Sequence, residues 1–159
     1  MNYMLGYAMH WGATLKHKWW VILYAIGFSC RLSGRALIHD WSKFTHQEAK
    51  RFARVIRKLK TSTYGTPEYS ALLKEIKPSI DAHYRRNPHH PEHWAGGMKG
   101  MALLDLTEMT FDWLAASKRH TDGDAVKSVA INQKRFEYGD TLAAILTNTF
   151  QRKRKKGDS

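Results

Sequence analysis

Only one cysteine occurs among the 159 residues of the chain. A disulfide framework and a cysteine zinc cluster are therefore excluded, and Cys30 fits a reducing compartment best. A glycine-rich phosphate loop is absent, and no segment alternates between apolar and polar residues as a half-buried strand does. With 43% hydrophobic residues and a length suited to one domain, the chain is expected to form a compact, single-domain, all-α helical bundle.

The sequence also lacks an uninterrupted hydrophobic run of membrane-spanning length. The apolar run at residues 19–30 is shorter than the ~20 residues that a span needs, and Lys16, Lys18 and Arg31 bracket it. It has no clear small-residue cleavage site of the kind that ends a secretory signal. We therefore expect a buried core helix, no membrane partner, and a cytoplasmic location in a bacterial cell or a phage-infected host.

Acidic residues are few. The chain has 26 lysines and arginines against 14 aspartates and glutamates, which gives a net charge of +12. Part of the excess is the basic run at residues 152–156, which is typical of a solvated, disordered tail. The remaining basic surface predicts a small anionic substrate such as a nucleotide, and it leaves nucleic acid open as a second partner. We expect a helical domain over residues 1–150 and a basic, disordered tail over residues 151–159.

Apolar residues at helical spacing predict the positions of the helices. On the first helix, one stripe of residues is expected to be buried, and it consists of His17, Val21, Tyr24 and Phe28. Ser33 and Gly34 are expected to break the chain after it. The predicted helices cover residues 13–30, 35–43, 45–60, 99–118, 125–138 and 140–150, and another starts at Pro67 and is broken or kinked by Pro78. Residues 87–97 are predicted to form a loop.

Histidines and carboxylates carry the chemistry of this sequence. The adjacent His39 and Asp40 offer an imidazole and a carboxylate that suit a divalent metal, and His17 could add a third ligand from a different helix. A carboxylate from residues 105–112 would close the site, because Asp105, Glu108 and Asp112 share one helical face. Such a site, with an open position for water, suits hydrolysis at phosphorus.

A second group of histidines, four of the nine in the chain, falls between His83 and His93. His83, His89, His90 and His93 are candidates for a second metal or for proton donation to a leaving group. Lys43 and nearby arginines would neutralise the charge of phosphate oxygens. The expected cofactor is a divalent ion (Mn, Co, Mg, Zn or Fe), with one or two ions per chain. The other histidines, His10, His46 and His120, are expected at the surface.

The segment ALIHDWSK at residues 36–43, with His17 before it, resembles the core of HD-domain metal-dependent phosphohydrolases. The motifs HDWSKF, NPHHPEHW and EMTFDW more narrowly resemble a family of small proteins common in phages and bacteria. The HD resemblance implies an all-α fold and hydrolysis of phosphate esters, often of nucleotides. It also favours Asp112 as the late aspartate ligand, with Glu108 as the general base or a supporting group.

The sequence thus predicts a metal-dependent phosphohydrolase that acts on a nucleotide or a related phosphate ester. Two alternatives stay open, an HD-like di-iron oxygenase and a basic nucleic-acid-binding helical protein with a structural metal. The predicted metal ligands are His17, His39, Asp40, Asp112, His83 and His89. The predicted catalytic residues are Glu108, Lys43 and His90, and the predicted substrate-binding residues are Lys43, Arg85, Arg86, Trp41 and His93.

Overall fold

The computed structural model describes residues 3–63, 65–119 and 123–157, and within these ranges the chain is all-α, as predicted, without a strand. Its helices are α1 (Tyr3–Ile38), α2 (His46–Thr61), α3 (Pro67–Glu75), α4 (Lys77–Arg86), α5 (Leu103–Ser117), α6 (Ala125–Phe136) and α7 (Asp140–Gly157). Short 3-10 turns lie at Trp41–Phe44, Pro91–His93 and Gly97–Gly100. Internal contacts divide the chain into two units, Met1–His39 and Asp40–Ser159. The single domain predicted over residues 1–150 stays a prediction.

The first unit consists mainly of α1, a continuous helix of 36 residues without a buried residue. The predicted break at Ser33 and Gly34 is wrong, because the helix runs through both, and the separate helix predicted at residues 35–43 is replaced by the end of α1 and a 3-10 turn. The predicted buried stripe is also wrong. Apolar spacing identifies a face that can be buried, but it does not supply the surface that buries it.

The length and composition of α1 match those of a membrane-crossing helix. Among the described residues, it lies in the one helical segment with an 18-residue window apolar enough to cross a membrane, and none of that window is buried. The core role that the sequence predicts for this helix is therefore not fulfilled in the structure.

In the second unit, α2, α3 and α4 share one apolar cluster. Val55, Leu59 and Ile76 are buried at its centre. Thr66 caps α3 by accepting a hydrogen bond from the backbone nitrogen of Tyr69. The predicted interruption near Pro78 is present, since α3 ends at Glu75 and α4 carries this proline in its first turn. The cap at Thr66 and the proline at residue 78 thus set the starts of α3 and α4, and His83 lies in the last turn of α4.

A second cluster joins α5, α6 and α7 around the buried residues Val129, Tyr138, Leu146 and Phe150. The helices α6 and α7 begin where the sequence predicts, at residues 125 and 140. The predicted end of the last helix at residue 150 is wrong, because α7 extends to Gly157 and includes most of the segment that was predicted to be a disordered tail. His120, predicted at the surface, lies outside the described residues.

Replacing Leu146 tests this second cluster. Leu146 is 2% exposed, so Leu146→Ala should leave a cavity and lower the free energy of unfolding by about 2–5 kcal/mol. Ile145, its neighbour on α7, is 56% exposed, and Ile145→Ala should change it by less than about 1 kcal/mol. Urea unfolding of both variants measures the difference. Equal losses would show that the cluster around α7 is not the core of this unit.

Candidate metal centre

The site is built around Asp40, which lies two residues after the end of α1 and directly before the 3-10 turn at Trp41–Phe44. Its backbone is left-handed, with φ 56° and ψ 18°. Aspartate tolerates this conformation better than most residues, because its short polar side chain can bond locally. The 3-10 turn contacts α2 and α4, and Lys43 forms an ion pair with Asp40 Oδ2. The carboxylate is thereby fixed, with Oδ1 left to face the histidines.

Three imidazoles converge on this carboxylate. His83 lies in the last turn of α4, and His89 and His90 lie in the loop after it. The distance from His83 Nε2 is 3.1 Å to Asp40 Oδ1 and 2.9 Å to His90 Nε2. His89 Nε2 lies 3.5 Å from the same Asp40 oxygen. Together the four residues offer ligand atoms that all lie within 4.8 Å of one another.

Two glutamates hold the outer nitrogens of these rings. Glu48 Oε2 lies 3.3 Å from His83 Nδ1, and Glu108 Oε1 lies 3.1 Å from His89 Nδ1. A carboxylate at Nδ1 fixes the ring orientation and favours the tautomer whose Nε2 lone pair points to the opposite side, as behind metal-ligating histidines in general. The Nε2 atoms of His83 and His89 are the ones that approach Asp40.

The glutamates are themselves buried and charged, so each needs compensation. Glu48 is 1% exposed, and its Oε1 accepts a hydrogen bond from Arg86 at 3.2 Å. Ser42 and Asn87 extend the network, since the Ser42 hydroxyl lies 3.0 Å from His83 Nδ1 and Asn87 Nδ2 donates to the backbone oxygen of His83. The ring of His83 is therefore held by Glu48 of α2 and by Ser42 of the 3-10 turn, and Asn87 bonds the backbone of the same residue.

The electrostatics favour a neutral imidazole and an ionised carboxylate at the centre. Burial lowers the pKa of His90 to about 3, with help from the neighbouring rings of His89 and His83. Burial alone would raise the pKa of Asp40, but hydrogen bonds from His83 and His89 and the charge of Lys43 outweigh it and hold the pKa well below its ordinary value. Both groups are thus in their metal-binding protonation states at neutral pH.

These residues fit a divalent cation. Ligand atoms bound to one ion at about 2.0–2.2 Å are separated from each other by about 3–4.4 Å, and the distances of 2.9–3.5 Å agree with neighbouring positions around such an ion. Three imidazoles and one carboxylate suit zinc, manganese, iron or cobalt better than magnesium, which prefers oxygen ligands. The structure therefore holds a buried histidine–carboxylate cluster that could bind a metal ion.

A cleft of about 450 Å³ reaches the centre, with His83 and His90 among its walls. Asp112 on α5 and Lys43 line the same cleft. Apolar and aromatic side chains form part of the remaining walls, among them Phe52, Ile56, Tyr69, Leu73, Ile80 and Trp113, and basic side chains form another part, namely Lys60, Arg119, Lys127 and Arg135. The cluster is thus accessible to a small molecule of drug or nucleotide size.

The structure brings together only some of the predicted metal ligands. Asp40, His83 and His89 meet at the centre, and so does His90, which was predicted to be catalytic. His17 is exposed on α1, 21 residues before Ile38, which corresponds to about 32 Å along a helix. The prediction that His17 and His39 share an ion is therefore wrong for one chain. The ligand role of His39, the last residue of the first unit, stays a prediction.

The three acidic residues of α5 have separate positions. Asp105 accepts a hydrogen bond from the backbone nitrogen of Ala102 and so caps its own helix. Glu108, one turn on, contacts His89. Asp112 lies at the cleft, where its charge opposes the lowering of the His90 pKa. The predicted role of Asp112 as a metal ligand stays a prediction. One of the three acidic residues on this face, Asp105, serves as a helix cap.

The predicted substrate-binding residues are dispersed. Lys43 pairs with Asp40, and Arg86 pairs with Glu48. Arg85 is exposed on α4, and Trp41 is 67% exposed in its 3-10 turn. His93 directs Nδ1 to the backbone oxygen of Tyr84 at 3.1 Å. Of the five, only Lys43 lines the cleft.

The residue that the sequence prediction missed is Glu48. Thr45 and Glu48 have the spacing of a capping box, but Thr45 makes no side-chain cap, and its hydroxyl donates to the backbone oxygen of Ser42 instead. Glu48 also precedes Phe52, Val55 and Leu59 at i, i+4, i+7 and i+11, so it continues the inner face of α2. A carboxylate on that face is the signal that could have identified it as a buried partner of a histidine.

A family model described as "Family of unknown function (DUF5662)" matches residues 7–152, nearly the whole chain. The chain belongs to the DUF5662 family. None of the curated proteins and none of the solved structures matches it. In this DUF5662 protein the matched residues include Asp40, the three converging histidines and both supporting glutamates.

Metal binding should depend on Asp40. Asp40→Asn keeps a residue that tolerates the left-handed backbone but removes the anionic ligand, so it should weaken zinc or manganese binding at least about tenfold. Asp81→Asn is the matched control, because Asp81 pairs with Lys77 on the exposed side of α4. Calorimetric titration and elemental analysis measure the binding. Unchanged affinity in Asp40→Asn would exclude this centre.

In the metal-free protein, His90 should make stability depend on pH. Its pKa is about 3 in the folded state and ~6.5 in an unfolded chain, so the unfolded chain takes up the proton first. The contribution of neutral His90 is fully present above pH ~6.5 and is lost as the pH falls towards 3. Between pH 7 and pH 4.5, urea unfolding of chelator-treated His90→Gln should show a weaker pH dependence than wild type. His46 is exposed at the start of α2, so His46→Gln should keep the pH dependence of wild type. The same dependence of unfolding free energy on pH in all three proteins would contradict the role given to His90.

Proposed function

We propose that this DUF5662 protein is a metal-dependent phosphohydrolase that acts on a nucleotide or a related phosphate ester. The observation that carries the proposal is the convergence of Asp40, His83, His89 and His90 at the wall of an accessible cleft. A structural metal site is closed and does not require a cleft beside it, whereas a hydrolytic site requires space for water and substrate.

Asp40 and the three histidines would hold one divalent ion of the zinc, manganese, iron or cobalt type. When bound, such an ion supplies water activated at neutral pH and positive charge beside the phosphate oxygens. Glu48 and Glu108 orient His83 and His89 through their Nδ1 atoms, so we assign them as positioning residues. This replaces the general-base role that the sequence suggested for Glu108.

Lys43 and Asp112 are the residues suited to contact substrate. The side chain of Lys43 is about one-third exposed beside Asp40, and its ammonium group can donate to a phosphate oxygen at the cleft wall. Asp112 shares the cleft with His90 and can accept the proton of the attacking water. The aromatic walls, among them Phe52 and Trp113, can stack on a base, which favours a nucleotide over a smaller ester.

Phosphate release tests the proposal directly. Wild-type protein supplied with zinc, manganese, cobalt or iron(II) should release phosphate from nucleoside mono- or triphosphates or open cyclic nucleotides. Asp40→Asn and His89→Asn should lower kcat at least about 100-fold, and Glu108→Gln about 10- to 100-fold. Asp81→Asn should keep wild-type activity.

Two results would redirect the assignment. Iron with visible absorbance, together with oxidation of an organic substrate and no phosphate release, would support the oxygenase alternative. Nucleic-acid binding that weakens steeply with salt, with no turnover under any metal, would support a binding protein with a structural ion. Turnover that Asp40→Asn leaves intact would contradict the proposed centre itself.

A further inference from the structure

We infer that α1 binds the surface of an anionic lipid bilayer, an inference independent of the proposed hydrolysis. The helix exposes a row of large apolar side chains that we call the uncharged stripe. Its members are Trp11, Leu15, Trp19, Ile22 and Ile26, which are 45–66% exposed, and further exposed apolar side chains, among them Trp20, Val21 and Tyr24, lie on the other faces of the helix. Exposed apolar patches of this extent usually mark a binding surface, because water contact with them is unfavourable.

The stripe has the geometry of a membrane-facing helix face. At 100° per residue, its five side chains fall within an arc of about 80°, and from Trp11 to Ile26 it extends about 22 Å along the helix. Two tryptophans belong to it, and tryptophan is enriched at the headgroup level of bilayers because its ring is amphipathic. A flat bilayer surface can contact the whole stripe at once.

The charges of α1 identify the partner. Residues 3–38 contain no aspartate or glutamate, while Lys16, Lys18, Arg31 and Arg35 are all basic. On the helix wheel the two lysines fall beside the stripe, one on each side, and the two arginines fall on the opposite face. Lysines at the edges of an apolar face can extend to anionic headgroups. A second copy of the same basic helix would meet like charge, so it is a poorer partner.

The helix is better suited to lie on the bilayer than to cross it. Its two long charge-free runs, residues 3–15 and 19–30, are about 20 Å and 18 Å long as helices, against a hydrocarbon thickness of ~30 Å. Spanning would therefore take at least one of Lys16, Lys18 and Arg31 into the hydrocarbon, which is costly. Lying in the interface buries the stripe and leaves all four basic side chains near headgroups or water.

Vesicle co-sedimentation of the full chain tests the inference. Wild-type protein should bind vesicles of phosphatidylcholine with 25% phosphatidylglycerol more strongly than vesicles of phosphatidylcholine alone. Ile26→Glu places a carboxylate in the stripe and should lower the partition coefficient about tenfold or more. Ile145→Glu is the matched control, because Ile145 is also a helical isoleucine and both are 56% exposed, and it should bind as wild type does.

Replacing both lysines tests the charge contribution. Lys16→Gln with Lys18→Gln should reduce binding to the anionic vesicles and leave binding to neutral vesicles unchanged. Equal binding of wild type and Ile26→Glu would overturn the inference and assign the binding to another basic surface. Absence of sedimentation with either composition would also overturn it. Self-association in solution that Ile26→Glu abolishes, without vesicle binding, would assign the stripe to a second copy.

Discussion

The contact between the Asp40 carboxylate and the imidazoles of His83 and His89 is the interaction on which the second unit depends. It joins the start of that unit to the last turn of α4 and to the loop after it, across more than 40 positions of sequence. Burying so many ionisable groups is unfavourable unless their charges compensate each other. The arrangement meets this condition because Asp40 pairs with Lys43, His83 with Glu48 and His89 with Glu108.

Two layers of groups can be distinguished. The inner layer, formed by Asp40 and the converging Nε2 atoms, is a set of metal-ligand atoms of the right type and spacing. The outer layer, Glu48 and Glu108, comes from α2 and α5 and binds the Nδ1 atoms. Because these helices are held by separate apolar clusters, the packing of both clusters determines the orientation of the rings. The geometry of the cluster and the packing of the core are therefore coupled, and a small shift of α2 or α5 would rotate the ring of His83 or His89.

The first unit follows a different physical rule. Its helix of 36 residues has no buried residue, and many of its large apolar side chains are exposed. An exposed stripe next to basic residues without acidic ones is suited to an anionic surface. A DUF5662 protein of this kind would combine a helix that binds a bilayer with a second unit that carries a metal site, so the proposed chemistry would take place near the membrane.

The sequence by itself determined the local features. Helix periodicity gave the all-α class, Thr66 and Pro67 marked the start of α3, and the clustering of histidines with Asp40 indicated metal chemistry. These are set by interactions between residues close in the chain, which a pattern can report. Tertiary structure decided the rest: that Glu48 contacts His83, that His90 joins the buried cluster, and that α1 continues without a break and has no buried residue. Such outcomes depend on contacts between distant segments of the chain. Asp105 and Glu108 lie one turn apart on the same face of α5, yet Asp105 caps its own helix and Glu108 contacts His89.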